Sequence, residues 1–97
     1  MNYEAHYHAA LENERAAWNA FYEALKTEGV AWEARVNTFR LTEACAPTAY
    51  DEAVAAWQAA RDAHERASDA RVTASAVLTF MYARTEAARD AYRASLR

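Results

Sequence analysis

One proline, Pro47, stands near the midpoint of a chain of 97 residues, and one glycine, Gly29, is the only other strong helix breaker. Proline disfavours helical geometry at the residue before it, so a helix arriving from the N-terminus has to stop by Ala46. Thr48 followed three residues later by Asp51 has the spacing of a capping box and predicts a second helix starting there. No further Gly or Pro occurs up to Arg97, enough chain for a helix of roughly 70 Å. Asn2 is placed to cap the first helix. With 27 alanines and 26% charged residues, the composition favours long helices over a sandwich or barrel. The expectation is one helical domain over 1–97, with an arm over about 2–44, a turn over about 45–48 and an arm over about 48–96.

Both arms carry heptad patterns. In the first, Leu11, Trp18, Leu25, Trp32 and Phe39 are each seven apart, and Ala10, Ala17, Ala24 and Ala31 precede the first four. In the second, Ala53, Ala56, Ala60, Ala63, Ala67, Ala70 and Ala74 alternate by three and four. Val77, Met81, Ala88 and Ala91 continue that phase, interrupted by Arg84. Folding the chain back about Ala46 and Pro47 sets large residues against small ones, with Trp32 against Ala60 and Ala63 and Trp18 against Ala74. The fold class is therefore all-α, a long antiparallel helical hairpin with an alanine-rich coiled-coil seam, dimerising into a four-helix bundle. The alternative is a compact three- or four-helix bundle in which Gly29 ends the first helix.

The residues offer little chemistry. Glu4, His8 and Glu12 share a helix face, yet no Glu-x-x-His pair of the di-iron kind exists, so no metal is expected. His64 lies among Arg61, Asp62, Glu65 and Arg66, which read as the ion pairs Arg61–Glu65 and Asp62–Arg66 on a solvated face. Cys45 is beside the turn with no histidine near it in the chain, and one glycine cannot build a phosphate loop. The reading is no enzyme, no cofactor and no small-molecule substrate. A single cysteine and a polar N-terminus suggest a cytoplasmic protein of a bacterial cell, and the longest uncharged run, Val72 to Ala83, is too short to span a membrane. Ten Arg against one Lys, with no Ile, fit a GC-rich genome. Net charge is −3, and Glu86 and Asp90 interrupt the stripe Arg89, Arg93 and Arg97, so nucleic acid is not the expected partner.

Protein contact remains. Residues 72–82 are apolar around more of the helix than one neighbour covers, which marks Leu78, Phe80, Met81, Tyr82 and Tyr92 as a partner-binding patch. The expected partner is a second copy or another helical protein. The expected function is that of a non-enzymatic scaffold, adaptor or small inhibitor; an alternative is a phage- or plasmid-encoded inhibitor of a host defence complex.

The segment Tyr82-Ala83-Arg84-Thr85-Glu86 resembles the C-terminal Tyr-x-x-x-Asp/Glu signal of the small WXG-type substrates of type VII secretion, which are helical hairpins of similar length. That resemblance implies a secreted hairpin as a further alternative. Where that family carries Trp-x-Gly, the turn from Ala44 to Tyr50 has neither Trp nor Gly, so membership is not assigned.

Overall fold

The computed structural model describes residues 1–97 as two helices and no strand: α1, Tyr3–Ala44, of 42 residues, and α2, Tyr50–Ser95, of 46 residues. Asn2 caps α1 as its position suggests, its Oδ1 accepting from the Ala5 N–H at 2.9 Å. Gly29 keeps a helical backbone and α1 runs through it unbroken, so the bundle broken at Gly29 does not form.

The reversal lies where Pro47 requires it. Ala46 is extended, at φ −65° and ψ 151°, as a residue before proline should be. The expected cap is displaced, however. Thr48 falls inside a 3-10 turn over Pro47–Ala49, and α2 begins at Tyr50. The Ala49 N–H bonds the Ala46 carbonyl at 2.9 Å, and the Tyr50 N–H bonds the Pro47 carbonyl. The 3-10 turn therefore winds directly into α2 and leaves Thr48 no capping role.

The chain divides into two compact units, a terminal unit of Met1–Tyr22 with Val72–Arg97 and a turn unit of Glu23–Arg71. In each, the protected positions alternate by three and four. In the terminal unit they are Tyr7, Ala10, Glu14, Ala17 and Phe21 on α1, facing Ala74, Leu78, Met81, Thr85, Ala88 and Tyr92 on α2. In the turn unit they are Ala24, Glu28, Ala31, Arg35, Thr38, Thr42 and Cys45, facing Ala53, Trp57, Ala60, His64, Ala67 and Arg71.

Both seams depart from the sequence reading. On α1 the buried line runs one residue before Leu11, Trp18, Leu25, Trp32 and Phe39, which all stay exposed. On α2 the positions Ala56, Ala70, Val77 and Arg84 are exposed, and their successors Trp57, Arg71, Leu78 and Thr85 are buried or half-buried instead. Register shifts as well. Cross-helix partners in the turn unit, Thr42 with Ala53 and Glu28 with Arg71, have numbers adding to 95 and 99 rather than about 93. Ala10 with Thr85 and Tyr7 with Tyr92 give the same two values in the terminal unit. Alanines contributed by both helices let the backbones approach, and an indole is too large to lie between them. The Trp32 ring accordingly lies against His64, with ring centroids 5.2 Å apart, and Trp18 lies beside Leu78 and Tyr82.

Candidate protein-docking surface

The turn unit has a polar seam. Arg71 Nε donates to Glu28 Oε2 at 2.8 Å, and the Ser68 hydroxyl also acts on the same carboxyl. Both groups, Arg71 first, hold the Glu28 carboxyl below its usual range, against the opposing effect of burial. Two turns along α1, Arg35 Nη1 donates to His64 Nδ1 at 3.1 Å, which places the ring proton of a neutral imidazole on Nε2. Thr42 Oγ1 donates to the Thr38 carbonyl within its own helix and approaches the Ala53 carbonyl across the seam at 3.2 Å.

Trp57 is the one large apolar side chain at a seam position of the turn unit, and others lie outside the seam. Leu25, Trp32 and Phe39 are 40%, 52% and 48% exposed. Phe39 meets Trp57 with ring centroids 6.2 Å apart, and the Arg61 guanidinium caps the Trp57 ring at 5.2 Å. Arg61 therefore does not reach along α2 to Glu65 as the sequence suggested; its ion-pair partner is Asp62, at 3.5 Å. Its Nε is buried with no hydrogen-bond partner. Trp32, Val36, Phe39 and Trp57 line an open groove of about 420 Å³ together with Arg35 and Arg40. Gly29 lies on the same flank of α1, three residues before Trp32 and four after Leu25, and a Cβ built on it would meet nothing within 4 Å.

The residues singled out in 72–92 scatter in the terminal unit. Leu78 and Tyr82 share a groove of about 300 Å³ with Trp18 and Thr79. Trp18 also stacks on Tyr22 at 5.5 Å. Met81 and Tyr92 are half-buried in the seam, and Tyr92 stacks on Tyr7 at 6.1 Å. Phe80 is exposed on the far side of α2, its ring covered by the Arg84 guanidinium at 5.7 Å. The five therefore do not form one patch. The α1 flank of the turn unit carries a further apolar line, and its signal is in the sequence. Leu25, Gly29, Trp32, Val36 and Phe39 alternate by four and three, a second heptad line beside the buried one.

At the N-terminus, Glu4 and His8 approach to 3.7 Å on an exposed face. Arg89 of the C-terminal arginine stripe is engaged by Glu86 at 3.9 Å and Asp90 at 3.4 Å. No helix is long and apolar enough to cross a membrane. Comparison with protein families, characterised proteins and solved structures finds nothing that matches this chain.

Proposed function

We propose that this chain is a non-enzymatic helical module that works by binding protein, through the exposed flank of α1 in the turn unit. The carrying observation is the periodicity of that flank. Leu25, Trp32 and Phe39 recur every seven residues while standing exposed, Trp32 about half accessible, with Gly29 and the half-buried Val36 between them. A surface with that period is complementary to another helix, whose side chains fall in the same spacing. Exposed Trp side chains rimmed by arginine are also the residue types that anchor protein interfaces. The non-enzymatic part rests on composition: one glycine, one cysteine, and three histidines without a nucleophile beside them in the chain. The test is a photo-reactive amino acid in place of Phe39, irradiated in cells that make the protein. Covalent products containing protein, whether the same chain or another, support the reading. Products confined to nucleic acid or small molecules would defeat it.

A further inference from the structure

We infer that the occupant of this flank is a second copy of the chain, laid antiparallel so that Trp32 of each copy fills the gap over Gly29 of the other. The inference rests on the protein-binding reading above and adds the partner and its register.

Gly29 has no use within the chain. It adopts no conformation reserved for glycine, and nothing lies within 4 Å of where its side chain would be. In mid-helix it is less favourable than alanine, the residue this chain uses at 27 other positions. What the missing side chain provides is a notch, open outward, between Leu25 and Trp32.

The flank fits itself. In an antiparallel helix pair, each position of one heptad line meets the other position of its partner. Setting Trp32 over Gly29 of the second copy makes Gly29 receive the second Trp32, and sets Leu25 against Val36 twice. A two-fold contact demands such reciprocity. Charge agrees with this register. Lys26 and Glu33 occupy equivalent heptad positions beside the flank, and neither makes an ion pair within the chain. In the antiparallel register, Lys26 of each copy faces Glu33 of the other, and two opposite-charge pairs close the rim.

Surface area suffices. The chain exposes 7071 Å², against about 5600 Å² for a compact monomer of its mass. A standard interface takes about 800 Å² from each partner, well within that surplus.

The test is solution mass by light scattering at high micromolar concentration, with circular dichroism as a check on folding. The wild type should run at twice the 10.9 kDa of one chain. Gly29→Leu fills the notch with a good helix former and should give a monomer of unchanged helix content. Lys26→Glu and Glu33→Lys alone should each weaken the dimer roughly tenfold, and the two together should restore it. A dimer indifferent to Gly29→Leu, or single reversals that the double reversal does not rescue, would overturn the register. A monomeric wild type that still crosslinks to another protein through position 39 would overturn self-pairing and leave the binding reading standing. A monomer that crosslinks to no protein would remove both.

Discussion

The two units are built on the same heptad spacing and fill it differently. The terminal unit closes with Tyr7 stacked on Tyr92, and with Phe21, Leu78 and Met81 between the alanines. The turn unit puts Glu28, Arg71, Arg35 and His64 at the equivalent places. Apolar seam residues gain stability from burial and tolerate small slips of register. A ladder of one carboxylate, two arginines and an imidazole gains less, but each rung bonds only its own partner. Both units nevertheless leave large apolar side chains outside the seam: Leu25, Trp32 and Phe39 in the turn unit, and Trp18, Tyr22 and Phe80 in the terminal one.

The largest effects should come from the alanines that set helix approach. Ala17, in the terminal unit, and Ala67, in the turn unit, are 6% and 7% exposed. Ala17→Leu and Ala67→Leu should each lower stability by about 1–3 kcal/mol in urea unfolding. Their neighbours on exposed positions, Ala16 and Ala70, should accept leucine within about 0.5 kcal/mol. Equal costs at Ala16 and Ala17 would mean that the buried line of α1 is drawn one residue off.

Next come the aromatic residues of the two units, measured on a Gly29→Leu background so that association does not enter. Phe21→Ala should cost about 2 kcal/mol, because Phe21 is half-buried in the terminal seam. Trp32→Ala removes a larger side chain from an exposed flank and should cost below about 1 kcal/mol. A Trp32→Ala variant as unstable as Phe21→Ala would show that the flank belongs to the core, and the contrast between the units would collapse.

Hydroxyls that cross the seam sharpen the comparison at smaller scale. Thr85, in the terminal unit, is buried, and its Oγ1 is 3.0 Å from the Met81 carbonyl and 3.2 Å from the Ala10 carbonyl. Thr42, in the turn unit, makes the same pair of contacts with Thr38 and Ala53 but is only half-buried. Thr85→Val should therefore cost about 1 kcal/mol and Thr42→Val about half that. Thermal unfolding of the two variants side by side tests the order.

How much of this could be read from the sequence differs by element. Pro47 dictated the reversal, and Asn2 the first cap, because each acts through its own backbone neighbourhood. The seam was ambiguous for a definite reason. α1 carries two heptad lines one residue apart, Ala10-Ala17-Ala24-Ala31 and Leu11-Trp18-Leu25-Trp32. Hydrophobicity favours burying the second, whereas close approach to an alanine-bearing helix requires the first. The deciding clue was polar: Glu28 and Arg35 each fall four residues after an alanine of that line, on the same face, and Arg71 and His64 stand opposite them in the antiparallel register. Charges in an inner seam are costly unless paired, so they look like surface until their partners are identified. The exposed flank of α1 was hidden by the same inversion, since Leu25, Trp32 and Phe39 were read as seam residues.

The smallest effect tests whether charge itself holds the turn unit's ladder. Arg71 and then Ser68 hold the Glu28 carboxyl below its ordinary value of 4.5. A carboxyl depressed on folding contributes stability that is fully present above its unfolded pKa. That contribution is lost as pH falls through the lower, folded value. Glu28→Gln should therefore be less stable than wild type near neutral pH, with the gap closing as acid protonates the wild-type carboxyl. Other carboxylates titrate in both proteins and cancel in the difference. A double-mutant cycle of Glu28→Gln with Arg71→Met isolates the pair. Its coupling should be favourable near neutral pH and fade as pH falls through the lowered Glu28 value. A coupling that persists undiminished in acid would mean that the Arg71 bond needs no charge on Glu28. The turn unit would then be held by neutral hydrogen bonding, as at Thr42, and its difference from the terminal unit would be one of shape rather than of electrostatics.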